Sequence, residues 1–288
     1  MPTRPLTLTQ QFGDRVAAAG PAGEFVYRHG KLPKACLHPL TTPAGLCLTG
    51  FEMSDHVWHR GLWFTIKFIN EANFWEEHEP YGRQRHLSEP SVQLVDEASV
   101  RLQAEIEWAS AATGAVIRES RTITHRSIGP DVAAVDWSCR LHALQDLTLD
   151  RTPYTTWGGY GGLTLRTTRE FHKAHLLLPG GEQVQGLAGQ RADWALMNGL
   201  LDGGKDMKAA FGFINHPSNP RSPSQWYAKT GPEVNFINAA FLFDGPMRVE
   251  KGQALTFHYR VLVRDGHWTA DEFEPLAAAF RGTRPETL

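Results

Sequence analysis

The sequence predicts an all-β fold, a sandwich or barrel of antiparallel strands with one helix near the C-terminus. Two observations predict it. Apolar and polar residues alternate along several stretches, as in strands with one buried face and one wet face. Pairs of residues that favour turns, such as Gly129-Pro130 and Lys251-Gly252, separate these stretches at short spacing. Short strands with frequent turns are typical of sandwiches and barrels.

Four stretches show the alternation most clearly. Between Val100 and Trp108 every second residue is apolar, and the same period runs from Val135 to Ala143 and from Leu255 to Val263. At positions 117–124 the residues predicted to share one face include two charged ones. That face consists of Ile117, Glu119, Arg121 and Ile123. All four stretches are predicted as antiparallel strands.

One segment, Ala270 to Arg281, is predicted as a helix. An apolar stripe recurs at helical spacing and consists of Phe273, Leu276, Ala277 and Phe280. Thr269 precedes it as N-cap, and Glu272 stands three residues later as the partner in a capping box. The helix is expected to pack on a sheet or to cover a sheet edge.

Composition limits the class of protein. The chain has 288 residues, 41% of them hydrophobic, and residues 1–288 show no linker or repeat, so one β-sandwich domain is expected. The formal net charge of −2 offers no basic field for nucleic acid or anionic membranes, and neither partner is expected. A homo-oligomer is compatible with the sequence.

Localisation and redox state follow from further absences in the sequence. No apolar run approaches the roughly 20 residues that a membrane helix needs. The first residues lack the basic and apolar regions of a secretory signal, so we expect a cytoplasmic protein. The three cysteines, Cys36, Cys47 and Cys139, form no CxxC pair, and each is expected to be a buried small hydrophobic residue rather than a nucleophile.

The first candidate site segment combines Ser54–Trp63 with Asn73–His78 and is unusually rich in His, Arg and Trp. His59 is the candidate acid or base, since imidazole titrates near neutral pH. The alternative is a buried histidine satisfied by a backbone carbonyl. A divalent metal on His56, His59 and a carboxylate is a further hypothesis, although no spacing here is diagnostic and no metal ligand set is assigned.

The second segment, Tyr154–Arg166, places four glycines around Tyr160, which lets the backbone and a phenol approach a ligand closely. Arg166 follows on the next predicted strand. A packed glycine-rich hairpin explains the pattern equally well. Neither GxGxxG nor GxxxxGK[ST] precedes a helix, so NAD, FAD and ATP are not expected as cofactors.

The third segment, His216–Tyr227, holds three prolines that keep the loop extended. It presents His216, Asn219, Arg221 and Trp226, residue types that bind hydroxyl groups and stack on sugar rings. The alternative is a stiff connector with solvated side chains. We expect the three segments to line one concave cleft.

Three ordered motifs resemble the DUF6807 family, whose members are often labelled PmoA-like. They are HPLTTPAG at positions 38–45, DHVWHRGLW at positions 55–63 and NFW at positions 73–75. Val57 and Trp58 stand where the family has Pro and His. The resemblance implies a supersandwich fold similar to galactose mutarotases and a link to carbohydrate catabolism. The label points to a membrane monooxygenase subunit, which the lack of an apolar span does not support.

Together these features predict an enzyme that uses acid/base chemistry on a sugar or keto-sugar, as a lyase, hydrolase or epimerase. His59 is predicted as the principal acid or base and His216 as the opposing one, with His56 beside them. Arg60 and Arg166 are predicted to stabilise an oxyanion. The residues predicted to stack on or bind the sugar are Trp63, Trp75, Tyr160, Asn219, Arg221 and Trp226. A metal-dependent hydrolase or lyase and a non-catalytic carbohydrate-binding protein remain alternatives.

Overall fold

A computed structural model describes residues 5–152, 159–201, 205 and 207–285. Within this part of the chain one α-helix, α1 (Ala270–Arg281), accompanies 25 strands. In chain order the strands are β1 (Thr7–Gln11), β2 (Arg15–Gly20), β3 (Gly23–Arg28), β4 (Cys36–Leu40), β5 (Phe51–Met53), β6 (His56–Arg60), β7 (Leu62–Ile66), β8 (Phe68–Ile69), β9 (Ala72–Asn73), β10 (Arg83–His86), β11 (Ser91–Asp96), β12 (Ser99–Ser110), β13 (Gly114–Ser127), β14 (Val132–Ala143), β15 (Leu147–Asp150), β16 (Gly161–Arg166), β17 (His172–Leu177), β18 (Gln183–Val184), β19 (Gly186–Arg191), β20 (Trp194–Leu201), β21 (Met207–Asn215), β22 (Gln225–Lys229), β23 (Phe236–Ala239), β24 (Met247–Val249) and β25 (Ala254–Asp265).

Two large sheets form the sandwich. The front sheet has nine strands in the order β1-β2-β3-β4-β7-β16-β23-β22-β19, and the back sheet has ten, in the order β10-β12-β13-β14-β25-β21-β20-β17-β18 with β11 paired to β12. All pairings are antiparallel. β25 lies between β14 and β21, so the last strand of the chain joins the two halves of the back sheet. The predicted antiparallel β-sandwich is confirmed.

The alternating strands put their apolar faces into one core between the two sheets. From the back sheet β25 contributes Phe257, Tyr259, Val261 and Val263, and from the front sheet β7 contributes Leu62, Phe64 and Ile66. The predicted charged pair also points inward: Arg121 Nε donates to Glu119 Oε1 at 2.6 Å, and both side chains are fully buried. Trp108 Nε1 donates to Glu119 Oε2 at 2.7 Å, which satisfies the second carboxylate oxygen.

The helix begins and ends where the sequence predicts. Thr269 accepts a hydrogen bond from the Glu272 backbone, and the Glu272 side chain accepts one from the Thr269 backbone, so the capping box is confirmed. Phe273, Ala277 and Phe280 are buried against the outer face of the back sheet. There Gly212 leaves room for Phe273, since a Cβ at position 212 would lie 2.3 Å from its ring.

The described part of the chain contains no helix of the length and apolarity that crossing a membrane requires. Its three cysteines are free thiols. Cys36 and Cys139 are buried as predicted, whereas Cys47 is only half-buried.

Candidate functional site

The outer face of the front sheet carries an aromatic cluster, defined as Trp63, Trp75, Tyr160, Tyr227 and Phe236. Trp63 and Phe236 point outward because their strand neighbours Leu62, Phe64 and Ile237 point into the core. The rings of Trp75 and Tyr160 are stacked, with centroids 4.8 Å apart and planes 11° from parallel. Tyr160 in turn lies edge-on to Tyr227 at 5.3 Å. The cluster forms an apolar wall of the kind that packs against a sugar ring face.

His59 lies against this wall, at the end of β6. Its ring is 5.3 Å from Trp63 and 5.4 Å from Phe236, where it stacks at 21°. Burial lowers the pKa of His59 well below its usual value, and the neighbouring His56 and Arg166 charges lower it further. The imidazole is therefore neutral at physiological pH.

Gly61 brings His59 to the front sheet. Its φ of +73° turns the chain from β6 into β7. A Cβ at this position would lie 2.4 Å from the Leu37 carbonyl oxygen, so the backbones of β4 and β7 approach too closely for a side chain. The Gly61 carbonyl accepts a hydrogen bond from the Arg166 backbone at 2.9 Å. This turn thus fixes the distance between the histidine segment and β16.

His56 is oriented by a carboxylate. Its Nδ1 lies 2.8 Å from Asp55 Oδ2, and its ring stacks on His59 with centroids 4.6 Å apart. Asp55 also accepts hydrogen bonds from Arg166 at 2.8 Å and from Arg169 at 3.1 Å. Partial burial opposes ionisation of Asp55, but the hydrogen bonds from His56 and Arg169 and the charge of Arg166 hold its pKa well below the usual range. An ionised carboxylate therefore faces a half-exposed imidazole.

Three nitrogens around His59 lack a hydrogen-bond partner in the described part of the chain. They are His59 Nδ1, Trp63 Nε1 and Arg166 Nη1, all buried. Arg166 pairs with Phe236 across β16 and β23, and Trp63 pairs with Thr164 across β7 and β16, so the three side chains occupy one region of the outer face. Unpaired buried polar atoms are costly, and a cluster of them indicates a place where a ligand supplies the missing partners.

Lys34 and Glu77 form a buried ion pair beside the aromatic cluster. Lys34 Nζ donates to Glu77 Oε1 at 2.9 Å and to the Trp75 carbonyl at 2.7 Å. Burial lowers the pKa of Lys34 to about 8, although the Glu77 charge opposes the shift. Arg60 pairs with both Glu77 and Glu52. The guanidinium predicted to stabilise an oxyanion is thus occupied by two carboxylates.

The structure brings together most residues of the first two predicted segments. His56, His59, Trp63, Trp75, Tyr160 and Arg166 all belong to this site, and Arg60 lies at its border. Residues 154–158 of the glycine-rich segment lie outside the described residues. From the third segment, only its last residue, Tyr227, belongs to the aromatic cluster.

The other residues of the third segment do not lie at this site, which corrects the expectation of one cleft containing His216. His216 packs against His258 and Phe280 on the outer face of the back sheet, with its Nε2 3.0 Å from the Thr283 carbonyl. His216 therefore does not face His59 across one cleft. The cause is topology: β21 delivers His216 to the back sheet, while β22 returns the chain to the front sheet.

The other three site residues predicted from that segment serve the fold. Trp226 points into the core between the sheets and is fully buried, with its Nε1 donating to the Ala192 carbonyl at 2.9 Å. Asn219 bonds to His258 backbone atoms, and Arg221 donates to the carbonyls of Phe241, Gly245 and Pro246. In this arrangement none of the three faces the aromatic cluster.

Sequence reasoning missed Lys34 and Phe236 as site residues, and it included Tyr227 only as the end of the third segment without giving it a role. Lys34 stands in no polar motif, and the other two lie on strands near the end of the chain. No local signal marks them, because only the order of strands in the front sheet places β22 and β23 beside β16. Asp55, the residue before His56 in the sequence, orients that imidazole.

The divalent metal on His56, His59 and a carboxylate stays a hypothesis. Across the described ranges, no group of three or more His, Cys, Asp or Glu side chains is arranged to hold a metal ion. His56 Nδ1 already lies within hydrogen-bond distance of Asp55 Oδ2.

The sequence matches DUF6807, described as a family of unknown function, over residues 16–278. The chain belongs to the DUF6807 family. No curated protein matches this DUF6807 member in sequence.

Three of the solved structures that are similar to this DUF6807 protein are described by their coverage, identity and TM-score. The galactosidase domain of an α-galactosidase–sucrose kinase matches 90% of the chain and 42% of its own length at 8% identity and a TM-score of 0.49. A GH36 α-galactosidase from Geobacillus stearothermophilus, in complex with raffinose, matches 91% of the chain and 41% of its own at 10% identity and a TM-score of 0.45. A galactose mutarotase related enzyme from Lactobacillus acidophilus matches 93% and 99% at 6% identity and a TM-score of 0.41. The chain thus spans about two fifths of the α-galactosidase chains that it matches.

Proposed function

We propose that this protein is a carbohydrate-active enzyme that uses acid/base chemistry on a sugar or keto-sugar derivative at the outer face of the front sheet. The observation that carries the proposal is the set of three unpartnered buried nitrogens, His59 Nδ1, Trp63 Nε1 and Arg166 Nη1, beside the aromatic cluster. A sugar has an apolar ring face and a rim of hydroxyl groups. Its recognition therefore requires an aromatic surface for stacking beside polar atoms that have no other hydrogen-bond partner.

The two unpaired N–H donors, on Trp63 and Arg166, suit an oxygen that gains negative charge during the reaction. A keto group next to the reacting carbon acidifies its C–H bond. When a base removes that proton, the electron pair moves into an enolate and the charge collects on the former keto oxygen. Donors already fixed in a buried site stabilise such a charge without having to reorganise.

His56 is the group that we assign to move the proton. It is half-exposed, it stacks on His59, and Asp55 orients it. His56 can then return the proton to a leaving glycosidic oxygen as its C–O bond breaks, which gives an elimination. An epimer instead requires an acid on the opposite face of the carbon, since His56 reaches only the face from which it took the proton. His59, neutral and buried, instead offers Nδ1 to a substrate hydroxyl.

The test is a screen of glycosides and 3-keto-glycosides for turnover, each with and without a chelator. The His56→Gln variant should lose about 10²- to 10⁴-fold in rate, which is the usual contribution of a positioned proton-transfer group. His142→Gln, a half-buried histidine on β14 of the back sheet, serves as the matched control and should keep full activity.

A second pair of variants tests the oxyanion donors. Arg166→Gln removes the buried Nη1 and should lower the rate by about 10²- to 10³-fold. Arg169→Gln removes the other arginine on Asp55, which is half-exposed and should matter little. Sugar binding without any turnover would instead favour a non-catalytic binding protein. Chelator-sensitive turnover that added metal restores would favour a metal on His56 and His59.

A further inference from the structure

A cavity lies on the outer face of the back sheet, beside the C-terminal end of α1. We call it the basic cavity, because its wall carries four arginines, Arg101, Arg126, Arg260 and Arg284, and one carboxylate, Asp136. His216, which the sequence placed in the catalytic site, lies in this wall instead. The cavity and the His56 site thus occupy the outer faces of different sheets.

Strand register builds the cavity floor from two polar rows. One row crosses four strands as Arg101, Thr124, Asp136 and Arg260. The next row, two residues along each strand and therefore on the same face, contains Thr122, Ser138 and His258. An outer sheet face with hydroxyls between guanidinium groups offers a ligand several hydrogen-bond donors at once.

Two arginines of the wall, Arg126 and Arg260, share one carboxylate. Asp136 accepts from Arg126 Nη1 at 2.6 Å and from Arg260 Nη2 at 3.0 Å, so one carboxylate serves two guanidinium groups. Within the described part of the chain it is the only acceptor that either guanidinium contacts, which leaves Arg126 Nη2 and Arg260 Nη1 to bind something else. Arg260 is held in place by Phe280, whose ring centroid lies 4.5 Å from its Cζ.

The carbonyl end of α1 opposes an anion only weakly. The Gly282 backbone donates to the Phe280 carbonyl, and the Thr283 backbone and hydroxyl also donate to it. Arg281 adds a positive charge in the last turn. Hydrogen bonds to the Phe280 carbonyl and the charge of Arg281 thus offset part of the helix dipole at this end.

We propose that the basic cavity is a binding site for the oxyanion group of a small metabolite, a phosphate monoester in the first place. Guanidinium groups bind phosphate and carboxylate oxygens through paired N–H bonds. The hydroxyls of Thr124 and Ser138 can donate to the remaining oxygens. Phe280 provides an apolar surface for the body of the ligand.

Isothermal titration calorimetry of the full-length protein tests this proposal, with inorganic phosphate, glucose 6-phosphate, gluconate and sodium chloride of equal ionic strength as separate titrants. We expect saturable binding of phosphate and tighter binding of the sugar phosphate. Gluconate separates a carboxylate site from a phosphate site. If the chloride titration gave the same heat as every oxyanion titration, the proposal would be overturned.

Variants locate the binding. Arg126→Gln should weaken phosphate binding about tenfold, which is the loss expected for one charge-assisted hydrogen bond. Thr124→Val keeps every charge and should weaken it by a smaller factor, which guards against misfolding of the arginine variant. Arg140→Gln lies on the same face of β14 but outside the cavity, so its affinity should stay unchanged. Equal losses for Arg126→Gln and Arg140→Gln would contradict a defined site.

The outcome is independent of the proposed enzymatic function. His56→Gln and His59→Gln should bind phosphate like the unmodified protein, because both residues lie on β6, at the outer face of the front sheet and away from the back sheet. Loss of phosphate binding in these variants would place the anion at the front sheet and overturn the proposal.

Discussion

The imidazole rings of His56 and His59 are stacked, with centroids 4.6 Å apart and planes 20° from parallel. Burial opposes protonation of His59, and the charges of His56 and Arg166 lower its pKa further. His59 is therefore the neutral member of the stacked pair. Asp55 Oδ2 lies 2.8 Å from His56 Nδ1 and orients that ring.

Stability should fall on mild acidification. Burial lowers the pKa of His59 well below 6.5, and it lowers the pKa of His38, His125 and His258 to about 4. The unfolded chain therefore binds protons below pH 6.5 that the folded chain does not, so the free energy of unfolding decreases as pH falls from 6.5 to 4. Each such histidine contributes about 1.4 kcal/mol per pH unit inside that window.

Urea denaturation at pH 7.5, 6 and 5 measures this slope. His125→Gln should reduce the slope by about one proton, since His125 is buried in the core. A free energy of unfolding that stays constant between pH 7.5 and 5 would contradict the assignment of neutral buried histidines.

Gly61→Ala should destabilise the protein much more than Gly114→Ala. Both glycines have a similar positive φ, +73° and +67°, so both substitutions carry the left-handed backbone cost of about 1–2 kcal/mol. Only at Gly61 does the new Cβ meet backbone, 2.4 Å from the Leu37 oxygen, whereas nothing lies within 4 Å at Gly114. Chemical denaturation of the two variants compares the costs directly, and equal values would show that β4 and β7 separate easily.

Arg121→Met should cost about 3–5 kcal/mol of unfolding free energy, because it leaves the Glu119 carboxylate buried without its charge partner. The double variant Glu119→Leu with Arg121→Met removes both charges and should recover most of that loss. Thermal and urea unfolding of the single and double variants decide the matter. A double variant as unstable as the single one would mean that packing, not charge, sets the cost.

Trp226→Ala should act on stability and Trp58→Ala on ligand binding. Trp226 is enclosed by the core, so its removal opens a cavity and should cost about 3–5 kcal/mol. Trp58 is half-buried at the rim, 5.0 Å from His78, and its loss should leave stability within about 1 kcal/mol. Melting temperatures and sugar titrations on the same preparations separate the two roles, and an unchanged melting temperature for Trp226→Ala would contradict its place in the core.

Local patterns predicted the strands, the helix and half of the site. Alternation placed Val135–Ala143 and Leu255–Val263 on strands with the correct inward faces, because period two survives any arrangement of neighbouring strands. The capping box placed the start of α1 because its partners are three residues apart. His56, His59 and Trp63 were found together because eight residues contain them all.

Long-range placement could not be predicted in the same way. His216 and Tyr227 are eleven residues apart, yet one lies on the back sheet and the other on the front sheet. Trp226 and Tyr227 are neighbours that point to opposite faces of β22. Composition indicates that such residues are important for structure or binding. Strand order and register decide whether each of them lies in the core or at the site.

The position of β25 has a consequence for synthesis on the ribosome. β25 lies between β14 and β21 and pairs with both. Because it is the last strand of the chain, β14 and β21 leave the ribosome before it does. Until then the nascent chain holds two partial sheets with unpaired edges, which favour association with other chains. A chain released before residue 265 would keep both edges open, so truncation products of this protein should aggregate rather than accumulate as soluble fragments.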